Sequence, residues 1–307
     1  MNERPKNVVA SILARLRNEA TAQGVPFNQV LQFYAIERFL YRLSKSRHAS
    51  AVLLKGALLL KTVGIPRARP TMDIDLLRQG KADRDTLVAL VRDCALINDV
   101  SDGVTFDPDS VIAQDIAKDS DYQGTRVQIR ARMDKVRLSV QIDFGVGDVV
   151  VPGPRLIEYP ALLGQEAVRL RAYPVEAAVA EKFQAMVELD VANSRMKDFY
   201  DIAICSRHLR FNGVTLAKSI AATFERRATP LPTGVPIALT ATYFEAEPRL
   251  RQWRAFVKRI GDPDFADRFP DIVAEVAAFV MPPTAASARG ETFRRQWQPG
   301  GPWESRR

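Results

Sequence analysis

Apolar residues recur along this chain with two different periods, and the switches between them mark out its elements. Within residues 7–23, Val8, Ile12, Leu13 and Leu16 fall at helical spacing, and Gly24-Val25-Pro26 closes the helix. A second helix is expected from about Asn28 to Ser46, with Leu31, Phe33, Tyr34, Ile36, Phe39 and Leu43 on its apolar side. The segment LLKGALLL then reads as a short strand, a turn at Lys55-Gly56 and an apolar helix, and MDIDLL reads as a further strand. A helix over Arg84–Leu96 precedes strands at Val104–Phe106, Val111–Ile116, Thr125–Met133 and Val136–Phe144. In RVQIRARM the alternation sends Val127, Ile129, Ala131 and Met133 to the core. It leaves Arg126, Gln128, Arg130 and Arg132 on a solvent face or on the floor of an anion-binding cleft.

Pro152-Gly153-Pro154 and the irregular stretch Glu158–Leu163 suggest a boundary, after which the helical period returns from Val175 onward, with later helices at Arg249–Ile260 and Ile272–Val280. Beyond Pro282 the chain is rich in Pro, Gly and Arg and poor in apolar residues, which predicts a disordered tail. Trp297 and Trp303 alternate there with arginines, a pattern that also suits stacking on nucleobases. The expected organisation is therefore N-terminal helices plus a sheet domain over 1–155, a helical region over 156–281, and a tail over 282–307.

Composition changes this picture only in its charge. Of 307 residues, 47% are hydrophobic and 26% charged, as in an ordinary globular protein, but the net charge is +8. Such an excess favours polyanionic partners, nucleic acid first and an anionic membrane surface second. Arg38, Arg42, Lys45, Arg47 and His48 make the end of the second helix basic, as a solvated face or a phosphate-contact surface. Two cysteines, Cys94 and Cys205, sit in helical patterns and predict neither a disulfide framework nor a metal site. His48 and His208 lack an evident acid–base partner in sequence. The N-terminal residues lack the apolar stretch of a secretory signal and no run of 18 apolar residues occurs, so a cytoplasmic address without membrane insertion is expected.

The chemistry concentrates on one strand. Asp73 and Asp75 are two apart and so share a face, while Ile74, Leu76 and Leu77 flank them with apolar side chains. Asp143, in SVQIDFGVG, is a third candidate; Asp148 reads instead as a loop carboxylate. Three carboxylates about 5 Å apart repel by roughly 3 kcal/mol per pair at an effective dielectric of 20, a cost that a divalent cation converts into binding. Lys55-Gly56 offers a turn that admits close backbone approach and a helix start able to hold phosphate. Downstream, Asp198 and Asp201 are neighbours on one helical face, and Lys182 either answers the charge of a triphosphate or pairs with Asp198 to tie two helices together.

KGALLL…RPTMDIDLL, VQIDFGVGD, AVAEKF and SRMKDFYDI, in this order, resemble the nucleotidyl transferase AbiEii toxin family, within the polymerase-β-like nucleotidyltransferase superfamily. The resemblance runs from about Asn7 to Ile260 and includes the helix YAIERFLYRLSKS. It implies an α+β fold, a mixed sheet with helices carrying the metal-binding acids and then a mostly helical C-terminal region. It further implies an Mg²⁺ (or Mn²⁺) cofactor, an NTP substrate, an RNA acceptor such as the tRNA acceptor end, and a cognate antitoxin. By that resemblance Asp73, Asp75 and Asp143 are the metal-binding acids and Lys182 and Asp198 complete the catalytic set. Lys55, Gly56, Thr71 and Lys182 are the nucleotide-binding candidates. Ala57 and Leu58 stand where members with demonstrated transfer often carry Ser or Thr, and Thr71 is the candidate replacement hydroxyl. Two other readings stay open: a non-catalytic nucleic-acid-binding protein on a degenerate scaffold, and transfer to a protein or small-molecule acceptor.

Overall fold

A computed structural model describes residues 8–65, 69–80, 82–98, 102–117, 123–265 and 269–305. The chain forms two compact units interleaved in sequence. The first contains Met1–Leu58, Thr71–Gly147 and Leu156–Ala172, and the second Leu59–Pro70, Asp148–Arg155 and Tyr173–Arg307.

The first unit opens with α1 (Val8–Gln23) and α2 (Phe27–Lys45), then β1 (Val52–Lys55), the short α3 (Gly56–Leu60), β2 (Asp73–Arg78) and α4 (Arg84–Leu96). It continues through β3 (Thr105–Ala117), β4 (Gln123–Met133), β5 (Val136–Val146), β6 (Arg155–Tyr159) and β7 (Val168–Ala172). One mixed sheet results, ordered β3-β4-β5-β2-β1-β7-β6. Strands β2 and β5 pair in parallel, as do β1 and β7, while β1 with β2, β3 with β4 and β4 with β5 pair antiparallel. Val127, Ile129, Ala131 and Met133 are buried, as the alternation predicts, together with Val140, Ile142 and Phe144 of β5. Helix α2 packs against β5 and β7, and α4 against β3 and β4.

Four expectations are corrected here. The two short strands at 104–106 and 111–116 are one strand, β3, with a bulge between Asp107 and Ile112. Pro108 lies in that bulge on the sheet's edge, where a residue without an N–H is tolerated. The boundary expected near 155 moves, because β6 and β7 extend the sheet. Val168, Leu170 and Ala172 are buried and alternate with Arg169 and Arg171, a period-two pattern in VRLRA. Arg38 and Arg42 form neither a solvated face nor a phosphate surface, being 1% exposed. Arg42 is paired with Asp102 at 2.5 Å and donates to the Val104 carbonyl, and Arg38 is paired with Glu37. Glu37 in turn accepts from the Leu162 amide at 2.7 Å. His48 does have a carboxylate partner, Asp93, 2.7 Å away.

The second unit holds α5 (Val175–Leu189), α6 (Met196–His208), β8 (Phe211–Asn212), α7 (Gly213–Arg226), α8 (Ala241–Phe244), α9 (Glu247–Ile260), α10 (Phe269–Ala288), β9 (Arg295–Trp297) and β10 (Trp303–Ser305). Its core is aromatic, with Phe183, Phe199, Trp253, Phe269 and Phe279 all at or below 1% exposure. The expected disordered tail over 282–307 is instead part of this unit through residue 305. Helix α10 runs through Pro282 and Pro283, and β9 pairs with β10 and β8 in a small antiparallel sheet. Trp297 and Trp303 are buried, so neither is available to stack on a base. Pro283 has no N–H to give the Phe279 carbonyl one turn back; the Trp303 indole donates to that carbonyl instead, at 2.9 Å. Trp303 also stacks on the Phe279 ring, with centroids 5.8 Å apart and planes 8° from parallel.

Among the described residues no helix is long and apolar enough to cross a membrane. Both cysteines are free and buried, and burial pushes the Cys94 thiol up to about 12, which leaves it inert as a nucleophile.

Candidate active site

The register of the first unit's sheet brings the acidic residues into a row. Asp75 of β2 stands opposite Asp143 of β5, and Asp73 opposite Gln141. Directly paired residues point to the same face, so all three carboxylates share it, while Ile74, Leu76, Ile142 and Phe144 point to the buried side. The row continues in both directions. Lys55 of β1 is opposite Asp75, and Arg126 of β4 is opposite Asp143. Four neighbouring strands thus present Lys55, Asp75, Asp143 and Arg126 in alternating charge. The next row carries Asp73, Gln141 and Gln128, the two amides joined at 3.2 Å.

Gly56 explains why the turn after Lys55 needs glycine. Its φ is +70°, and a Cβ built there would lie 2.0 Å from Asp75 Oδ2. The carboxylate therefore rests directly on the backbone at the start of α3, a close approach that any side chain would block. Thr71 lies in the same unit, its hydroxyl 3.5 Å from the Asp73 amide, a long contact at the entry to β2. Ala57 and Leu58 are 1% exposed and serve the core.

Asp143 is already engaged. Arg126 Nε contacts its Oδ1 at 2.9 Å and Nη2 its Oδ2 at 2.8 Å, a two-pronged pair. That hydrogen bond, followed by the charges of Asp143, Asp73 and Asp75, holds the Arg126 guanidinium above its ordinary value against the opposing effect of burial. Among the described residues no three His, Cys, Asp or Glu side chains are gathered as a metal cluster. Asp73 and Asp75 alone still offer a fitting donor set, since Mg²⁺ is commonly held by one or two carboxylates together with substrate phosphates and water.

Lys182 and Asp198 belong to the second unit, where helices α5 and α6 bring them together. Lys182 Nζ lies 2.9 Å from Asp198 Oδ1 and 2.7 Å from Asp201 Oδ2. Arg195 contacts the other oxygen of Asp198 at 2.6 Å, and Arg69 grips Asp201 with two contacts at 2.9 and 3.0 Å. Both carboxylates are fully buried, which demands such partners. Burial pulls Lys182 down, but the charges of Asp198 and Asp201 outweigh it and hold the ammonium above the usual lysine value. Burial likewise pushes Asp198 up, and the charges of Lys182 and Arg195 overcome it, holding the carboxyl well below the usual range. Asp148 lies in the loop after β5, as expected of a loop carboxylate, with its side chain shielded and paired with Arg227 at 3.0 Å.

The sequence reading singled out Asp73, Asp75 and Asp143, which prove to share one sheet face with Lys55, and Gly56 beside them; it offered a pair with Asp198 as one of two roles for Lys182. It missed Arg126 as the partner of Asp143, because nothing in a linear sequence gives the β4–β5 register. It also missed Arg69 and Arg195. The spacing of Asp198 and Asp201 by three was a usable sign that two buried acids needed cations nearby.

A family model described as nucleotidyl transferase AbiEii toxin, type IV toxin–antitoxin system, matches residues 38–275. Among solved structures, an inferred nucleotidyltransferase from H. pylori is similar at a TM-score of 0.50 and 13% identity, with 87% of this chain and 98% of that one covered. JHP933 from Helicobacter pylori is similar at a TM-score of 0.49 and 14% identity, covering 86% of this chain and 94% of that one. At 13% identity the first of these likenesses is one of fold. No curated protein matches the chain at a significant level. The family match spans most of the sequence and includes the acidic strand, the sheet that carries it and the helices bearing Lys182 and Asp198: this chain belongs to the nucleotidyl transferase AbiEii toxin family.

Proposed function

We propose that this protein is a toxin that transfers a nucleotide from an NTP to an RNA hydroxyl, the tRNA acceptor end being the preferred site, with Mg²⁺ or Mn²⁺ as cofactor and a cognate antitoxin as its restraint. The observation that carries this reading is the register that sets Asp73, Asp75 and Asp143 on one sheet face, with the Asp75 carboxylate seated on Gly56. Three carboxylates against two cations, Lys55 and Arg126, leave this face with an excess of negative charge, which a divalent cation relieves.

Asp73 and Asp75 would hold the ion. When bound, it supplies charge neutralisation for the phosphates and lowers the barrier to in-line attack by the acceptor hydroxyl. Asp143 is the candidate acceptor of that hydroxyl's proton. Gly56 leaves room for the Asp75 carboxylate to sit against the backbone, and Lys55 beside it brings positive charge toward the phosphates. Lys182 is proposed to answer the phosphates as well. Three cations, Lys182, Arg69 and Arg195, surround the two acids of its cluster, and the surplus positive charge suits an anionic ligand.

The test incubates the protein with each labelled NTP in turn, Mg²⁺ and total RNA, and follows label into RNA. Label in a tRNA-sized band supports the reading. Label in protein, or in small molecules only, shifts the acceptor. No label with any NTP favours the second reading, a non-catalytic nucleic-acid binder. Two observations speak for that second reading: Asp143 is held by Arg126, and Ala57 and Leu58 bring no hydroxyl after the glycine.

A further inference from the structure

The acidic face carries its own cation. Arg126 uses both faces of its fork on both oxygens of Asp143, and the pair is partly shielded, with side-chain exposures of 30% and 12%. It reaches beyond that one partner: the charges of Asp73 and Asp75 also act on the guanidinium. A positive group therefore sits in the field of three carboxylates, at the opposite end of the row from Lys55, which is the electrostatic position a divalent ion takes at such a site. Arginine suits this task. Its planar fork matches a carboxylate, and it does not lose its proton, so the contact ends by displacement rather than by deprotonation.

We infer that Arg126 is the resident counter-cation of Asp143, competing with the divalent ion for that carboxylate, so that full metal binding requires the fork to open. Arg126 is thus a positioning residue: it presets Asp143 and sets how readily the third carboxylate joins the other two. The inference rests on the reading of Asp73 and Asp75 as metal-binding acids.

The test is a titration of the full-length protein with Mn²⁺ without nucleotide, free Mn²⁺ being read by its electron paramagnetic resonance signal. Arg126→Gln should bind Mn²⁺ roughly tenfold more tightly than wild type, the scale of one charge-assisted pair. Arg126→Lys, which keeps the charge and loses the fork, should fall between them. The gain should vanish when Asp143→Asn is added to Arg126→Gln. The lysine variant carries the test if the glutamine variant does not fold. Affinity in Arg126→Gln and Arg126→Lys at or below the wild-type value, with Asp73→Asn still weakening Mn²⁺ binding, would overturn the role of Arg126 and leave the metal site standing. Affinity unchanged in Asp73→Asn as well would mean that the metal reading itself has failed.

Discussion

Among the described glycines, Gly56 leaves the least room for a side chain. An alanine there must hold φ near +70° and push its Cβ into the Asp75 carboxylate. The backbone strain alone costs about 1–2 kcal/mol, so Gly56→Ala should lower stability by at least that much in denaturant unfolding and displace Asp75. Transfer should fall more than stability, because the displaced group is a proposed metal ligand. Lys182 behaves differently from a solvent-facing phosphate contact. Removing it takes a shared cation from the buried Asp198 and Asp201 and leaves each with a single arginine, a loss of up to about 3–5 kcal/mol. Lys182→Ala should therefore melt well below wild type, whatever it does to nucleotide affinity. The same cluster sets an acid limit. The folded pKa of Asp198 lies below its unfolded value of 3.8, so its stabilisation is complete above that value and is lost as pH falls through the folded pKa. Acid unfolding followed by circular dichroism should show Asp198→Asn less stable than wild type at neutral pH, with the difference narrowing below about pH 4.

At the scale of elements, the decisive feature is the C-terminal segment. Its aromatic residues close the second unit: Trp297 donates to the Ser206 carbonyl at 2.7 Å, and Trp303 satisfies the Phe279 carbonyl that Pro283 cannot. Trp303→Phe keeps most of the ring packing and leaves that carbonyl without its donor, so a loss of about 1–3 kcal/mol is expected in denaturant unfolding. Sequence reading failed here for a physical reason. Pro, Gly and Arg content describes how a segment behaves alone, whereas Phe293, Trp297 and Trp303 are anchored by a helix already in place. Where an element is set by its own period, the reading succeeded: α2, α4, β4 and β5 lie within a few residues of expectation. Where register or a distant partner decides, it did not. Arg38 and Arg42 look like surface charge until Glu37 and Asp102 are found beside them, and Arg126 looks like a solvent arginine until β5 is laid against β4. The acids were legible because Asp-x-Asp between apolar residues is informative without any partner.

For the whole molecule, the net charge of +8 is one a polyanion meets nearly in full, since the internal cations Arg38, Arg42 and Lys182 are matched by the internal acids Glu37, Asp102 and Asp198. Arg130, Arg132 and Arg137 are exposed and share the polar sheet face with the acids by register. If RNA lies along that face, replacing Arg132 and Arg137 by Gln should reduce the salt dependence of RNA affinity by about 1.4 log units per decade, two contacts at about 0.7 each. Filter binding across a salt series reads this directly. The central claim is that the face bearing Asp73 and Asp75 is the catalytic metal site, and the most direct measurement is single-turnover nucleotide transfer by Asp73→Asn and Asp75→Asn beside wild type, with melting curves recorded for each. The account predicts that both variants fold as wild type does and transfer at least a hundredfold more slowly, on the order of 3 kcal/mol in the barrier; a folded variant of either kind with transfer near the wild-type rate would contradict it.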